Sequence, residues 1–196
     1  MENKKKSKID LNIVKNYKSP FIAGILIGLG VIINLITSIP IIGPFLFSFG
    51  LLTIIELQLK LYTGKIGFGF NLGLLRVLLG NFIGIETTIL LYMLSNPSFH
   101  QLLKDASINK FNKGYLQILA CGIFCGMLIH FAVKVKKPYI TAMAVTIFIL
   151  IGAEHCVADF PYLMINLSIL NICKLFLVVL GNSIGAILIE KVIQNE

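Results

Sequence analysis

Six apolar runs, each near the length of a membrane-crossing helix, alternate with short polar connections along the chain. The first extends from Phe21 to about Thr37, with Ser19-Pro20 ahead of it as a cap and a first-turn proline. Pro40 and Pro44 separate it from the second, which reaches about Lys60. There it meets Tyr62-Thr63-Gly64-Lys65 and the spaced glycines Gly67, Gly69 and Gly73, through which a regular helix is not expected to continue. The third run, about Leu72 to Leu94, stops at Asn96-Pro97, and the one long polar connection follows, Ser98 to Lys113. The fourth covers Tyr115 to Val135, and the basic turn Lys136-Lys137-Pro138 leads into the fifth. That run is apolar to Ile151 and is then interrupted by the stretch from Gly152 to Asp159 and by Pro161. The sixth runs from about Asn166 to Ile193.

The pattern repeats. Ala23-Gly24-Ile25-Leu26-Ile27-Gly28 in the first run matches Cys121-Gly122-Ile123-Phe124-Cys125-Gly126 in the fourth. Val77-Leu78-Leu79-Gly80-Asn81-Phe82-Ile83-Gly84 in the third matches Val178-Val179-Leu180-Gly181-Asn182-Ser183-Ile184-Gly185 in the sixth. Gly-xxx-Gly spacing alone is common in helix packing, but packing does not explain the matched order and separation. Each half has an odd number of spans, so the second half enters the membrane from the opposite side. The expected fold is an all-α membrane protein of six transmembrane helices in two inverted three-helix repeats, about 19–95 and 114–193, with the second and fifth spans broken.

Composition agrees. With 57% hydrophobic and 13% charged residues, the chain is too apolar for a soluble domain of this size. Six spans of about 20 residues each leave room for a single transmembrane domain, 19–196, behind a basic tail, 1–18. The tail has no cleavage site leading into a soluble chain and reads as cytoplasmic, not as a signal peptide. A net charge of +8 raises the question of nucleic acid, but the charge is concentrated in the tail and beside the spans, where it sets orientation and meets anionic lipid. Thirteen Lys and Arg residues fall on the side of the tail and four, Lys104, Lys110, Lys113 and Lys174, on the other. Both termini are therefore expected in the cytoplasm, in a cytoplasmic (inner) membrane protein.

The candidate chemistry lies at the breaks. Backbone groups freed at membrane depth must line a polar or water-accessible cavity, and the breaks at Thr63 and His155 fall in corresponding spans. An imidazole in the bilayer is costly when charged but can exchange a proton, so His155 is either a pathway residue or a structural histidine satisfied by a backbone carbonyl. Cys121, Cys125, Cys156 and Cys173 lack a paired CxxC spacing and read as free thiols packed as small hydrophobes, with no metal and no cofactor expected. Glu154, His155 and Asp159 are too close together, without a second cluster, to build an enzyme's site.

The stretch Gly152-Ala153-Glu154-His155-Cys156-Val157-Ala158-Asp159 resembles the Gly-Phe-Glu-His-Ser-Ile-Ala-Asn signature of the formate/nitrite transporter family. Leu61-Tyr62-Thr63-Gly64 resembles that family's Leu-Phe-Thr segment, and Gly80-Asn81 with Gly181-Asn182 match its two Gly-Asn helices. The resemblance implies a homopentamer of aquaporin-like protomers in membrane lipid, each with a pore for small monovalent anions. It implies that His155 is the central histidine with Thr63 its partner, that Lys110 is the vestibule lysine, and that Asn182 belongs to the substrate pathway. It places Phe47, Leu51 and Phe148 at the outer constriction and Leu61 and Ile129 near the inner one.

The sequence departs from the family pattern at Lys60, where an acidic residue is usual, at Asp159, where an asparagine is usual, and at Gly126, which stands for a span-four asparagine. Formate, nitrite and hydrosulfide all remain open as substrates, by passive or proton-coupled transport, and loss of a polar group at Gly126 would suit hydrosulfide. A water or neutral-solute channel is the other reading, against which the chain lacks paired Asn-Pro-Ala motifs.

Overall fold

In the computed structural model the described residues are Glu2–Asn195, with side chains from Tyr17 onward, so most side chains of the basic tail lie outside them. The helices are α1 (Glu2–Ile36), α2 (Ile42–Glu56), α3 (Tyr62–Lys65), α4 (Gly73–Ser95), α5 (Phe99–Phe111), α6 (Tyr115–Val135), α7 (Pro138–Leu150), α8 (Cys156–Ile165) and α9 (Ile169–Gln194), with a 3-10 turn at Ile66–Phe68. Among the described residues there is no strand.

Among the described residues, four helices are long and apolar enough to cross a membrane: α1 from Tyr17, α4, α6 and α9. The apolar helices α2, α7 and α8 are shorter, because the second and fifth runs break where Gly and polar residues interrupt them. Large apolar side chains cover the outside. Leu94 and Leu116 are each 80% exposed, and Phe124, Phe176 and Val192 are exposed as well. Water would penalise such a surface, whereas lipid does not.

Close helix approach organises each half. α1 packs on α4 and α6 on α9, while α2 packs on α7 and joins the halves. A Cβ at Gly24 would meet the Asn81 carbonyl, and one at Gly126 the Asn182 carbonyl. Likewise Gly84 lies against the Phe21 carbonyl and Gly185 against that of Ile123. The equivalent of Gly24 is thus Gly126, one turn beyond the Gly122 chosen by sequence matching. Both helices carry glycines four apart, so the two registers look alike in sequence.

Both breaks begin with the same turn. Leu59 N–H donates to the Ile54 carbonyl and Gln58 N–H to that of Ile55; Ala153 and Gly152 repeat these bonds to Phe148 and Ile149. This is a Schellman-type arrest, which needs a left-handed residue: Gly152 (φ +70°) in one half and Gln58 (φ +53°) in the other.

Two expectations change. Pro20 lies inside α1, so Ser19-Pro20 does not start the helix, and the Ser19 hydroxyl oxygen instead accepts from Lys60 N–H at 2.9 Å. The connection 98–113 is mostly the helix α5. Phe99, Leu103, Ser107 and Phe111 make one buried face at four-residue steps, and Ser107 Oγ donates to the Tyr162 carbonyl at 2.7 Å, tying α5 to α8.

Candidate functional site

Each break is held by the asparagine of a Gly-Asn pair. Asn81 Oδ1 accepts from Tyr62 N–H at 2.9 Å, while its Nδ2 donates to the carbonyls of Pro20 (2.8 Å) and Lys60 (2.9 Å). Asn182 Oδ1 accepts from Cys156 N–H at 2.9 Å, and its Nδ2 donates to the carbonyls of Gly122 and Glu154, both at 2.8 Å. An amide side chain supplies both donors and acceptors, so one residue satisfies backbone groups on both sides of the break. Asn182 is fully buried with both amide protons committed, so it has no donor left for a solute. Asn182, expected in the pathway, thus makes the same kind of bonds across its break as Asn81 makes across the other.

The matched hydrogen bonds make Leu61 the counterpart of His155. Both precede a short helix in extended backbone, with φ/ψ of −105°/132° at Leu61 and −111°/111° at His155. His155 Nδ1 accepts from Ala158 N–H at 3.1 Å, capping α8. Because that amide must donate, Nδ1 carries no proton, and Nε2–H faces Thr63 Oγ1 at 2.9 Å. His155 is therefore neutral in this arrangement, and the Thr63 hydroxyl, acting as acceptor, keeps its own proton to offer elsewhere. Both residues are buried.

One cavity reaches His155, and a second reaches Leu61 and Gly64, on either side of Thr63 in the chain. One, of about 190 Å³, is lined by Val31, Phe47, Lys110, Phe148, His155 and Asp159 among others. Phe47 and Phe148 meet edge to face with centroids 6.0 Å apart, and Phe148 lies 6.0 Å from the His155 ring. The other, of about 160 Å³, is lined by Leu51, Ile54, Gln58, Leu61, Lys65 and Lys136 among others. Leu51, one turn along α2 from Phe47, thus shares a wall with Leu61 and not with Phe47 and Phe148. Ile129 is buried in the core and lines neither of these cavities.

Lys110 is not a free charge. α5 brings it to Glu154, with which it forms an ion pair, and to Asp159 Oδ1 at 2.9 Å, while its ammonium lies 5.1 Å from the Tyr162 ring centroid. Lys113 pairs with Glu154 Oε1 at 2.5 Å and donates to the Gly152 carbonyl at 3.0 Å. Burial works against charge on Lys110, but the Asp159 and Glu154 carboxylates outweigh it and hold its pKa above the ordinary lysine value. Sequence reasoning missed Lys113 because the helical connection was not recognised; its three-residue spacing from Lys110 was the available signal.

A second polar cluster was also missed. His130 Nε2 lies 2.7 Å from Glu190 Oε2, and Lys134 Nζ lies 2.8 and 3.0 Å from the two Glu190 oxygens. It ties α6 to α9, and the Phe68 ring covers it at 5.2 Å from that of His130. Ionisable residues in apolar runs are the signal that marks it. Gly126 is a contact between α6 and α9, not a vacated polar pore position. Cys173 is exposed, unlike Cys125 and Cys156, which are packed inside. Lys174 donates to the Phe111 carbonyl at 2.5 Å.

None of the curated proteins matches this chain. Among solved structures it is similar to a pentameric formate channel with formate bound, at 17% identity, with 93% of this chain and 94% of that one covered and a TM-score of 0.71. It is similar also to an FNT family ion channel, at 19% identity over 94% and 90% of the two chains, with a TM-score of 0.79. At these identities the likeness establishes the fold. The model of the formate/nitrite transporter family matches residues 1–194, nearly the whole length. The chain belongs to the formate/nitrite transporter family, whose members are transporters and not enzymes.

Proposed function

We propose that this protein is a channel or proton-coupled transporter for small monovalent anions such as formate or nitrite. The observation that carries the reading is the buried Thr63–His155 pair, with one cavity reaching His155 and another reaching Leu61 and Gly64 beside Thr63. Matched Asn81 and Asn182 brackets, glycine contacts and arresting turns support two halves of opposite orientation, six spans in all, with an aquaporin-like course. We read the cavity at Lys110 as outer and the one at Lys65 as inner, with both termini cytoplasmic in a cytoplasmic membrane. Family membership and the pentameric assembly of a similar channel support a homopentamer with one pathway per protomer.

Stripping water from an anion between Phe47 and Phe148 costs several kcal/mol even after relaxation, so an anion that takes a proton crosses more readily. Neutral His155 leaves no fixed charge to trap it. The Thr63 hydroxyl proton and the amide dipoles at the start of α8 offer donors along the path. Leu51 and Leu61 then form the inner narrowing, with Ile129 supporting it from the core. Hydrosulfide loses the argument drawn from Gly126, because that glycine packs on Asn182.

Flux of formate, nitrite and hydrosulfide into liposomes carrying the purified chain tests the reading. Saturable flux of formate or nitrite, reduced about tenfold or more by Lys110→Ala, is expected, since that change leaves Asp159 and Glu154 with Lys113 alone. Flux of none of the three anions would end it, and water flux without anion flux would favour the neutral-solute alternative.

A further inference from the structure

The ion network at the outer cavity is charge-balanced, and one of its oxygens is spare. Glu154 gives both oxygens to ammoniums, Oε2 to Lys110 and Oε1 to Lys113. Asp159 gives only Oδ1, to Lys110. Its Oδ2 is buried without a hydrogen-bond partner among the described residues, on a residue 2% exposed that lines the cavity. A buried carboxylate oxygen without a donor is unfavourable, and a proton placed on it would meet any acceptor that entered the cavity.

We propose that Asp159 carries the proton that accompanies each anion through the outer cavity and so selects for anions able to accept one. This deepens the transport reading and rests on it. With a proton on Oδ2, the network of Lys110, Lys113 and Glu154 holds one net positive charge and draws in a monovalent anion. The O–H bond of Asp159 then breaks, its electron pair stays on the carboxylate, and the proton forms a new bond to the anion. The neutral acid passes on toward Phe47, Phe148 and His155. Asp159, now ionised and with Glu154 balanced by the two lysines, takes its next proton from a hydronium ion that reaches the open cavity from outside and leaves a neutral water behind. Each turn moves one proton with one anion.

The groups that face Asp159 set this behaviour. α5 and the turn after it contribute Lys110 and Lys113, the break contributes Glu154 and His155, α8 contributes Cys156 and Tyr162, and α6 contributes Cys125. α1, α2 and α7 line the cavity with uncharged residues, Asn34, Phe47 and Phe148 among them.

The test is formate uptake by cells expressing the full chain, with external nitrate as a competitor that stays ionised. For wild type, the nitrate concentration that halves uptake should rise about tenfold or more from acid to alkaline external pH, because only the network with a proton on Asp159 holds net positive charge. Asp159→Asn fixes the network at one positive charge and removes the carried proton, so formate uptake should fall about tenfold or more, and the nitrate concentration that halves what remains should stay low and vary by about twofold or less. Lys113→Gln removes one ammonium and should weaken nitrate inhibition about tenfold at the acid end, which answers the question even if Asp159→Asn fails to assemble. Nitrate inhibition of wild type that ignores pH, a pH dependence retained by Asp159→Asn, or full inhibition in Lys113→Gln would each overturn the proposal while leaving anion transport standing. Absence of wild-type formate uptake at every pH would instead remove the transport reading beneath it.

Discussion

Asn182 and His155 sit at the same break and do opposite things. Asn182 spends its amide on three backbone partners, whereas His155 spends one nitrogen on Ala158 and directs the other at Thr63. Asn182→Ala should therefore act on stability first. It leaves one N–H and two carbonyls buried without their partner, at about 1–3 kcal/mol each if unrelieved. Even about 3 kcal/mol in all would lower the melting temperature of the purified protein by roughly 6–12 °C. A variant that melts like wild type yet transports differently would restore Asn182 to the pathway. The residue scale is also where sequence reading was least sufficient. His155 and Thr63 were legible because a polar group in a broken apolar run has few reasons to be there. The partners of Asn182, Lys110 and Asp159 depend on contacts between elements distant in the chain.

At the scale of elements, the apolar runs gave their positions away. α6 spans the same residues, Tyr115 to Val135, as the fourth run, and the breaks fall at the expected Gly-rich and polar stretches. α5 was not read as a helix, since a connection rich in Asn, Lys and Ser looks like a loop unless the four-residue spacing of Phe99, Leu103, Ser107 and Phe111 is weighed against its polarity. Missing that helix is what made Lys110 look like an isolated charge. The glycine match between α1 and α6 slipped by one turn, because only three-dimensional contact distinguishes Gly122 from Gly126 as the counterpart of Gly24. That distinction can be tested. In Gly126→Ala the new methyl must displace the Asn182 backbone, so α6 and α9 cannot close, and the protein should fail to assemble or lose most of its thermal stability. A well-folded Gly126→Ala protein with altered anion preference would mean that residue 126 lines the pathway after all.

For the whole molecule, the two cavities differ in charge. The lining at Lys110 and Lys113 includes Asp159, and Glu154 pairs with both lysines; among the described residues the lining at Lys65 and Lys136 contains no carboxylate. A path between such cavities is electrostatically polar although its backbone is built from two similar halves. The side chains that break the symmetry are Thr63, His155, Gln58 and Asp159, set on a scaffold that Asn81, Asn182 and the close-packed glycines hold alike in each half. The central claim is that Thr63 and His155 act as a single site on one continuous path, and a double-mutant cycle on formate flux in liposomes addresses it most directly. Thr63→Val and His155→Ala should each reduce flux about tenfold or more, and the double variant should lose no more than the worse single one, because each change alone already destroys the pair. Losses that multiply in the double variant, or wild-type flux in either single variant, would contradict it.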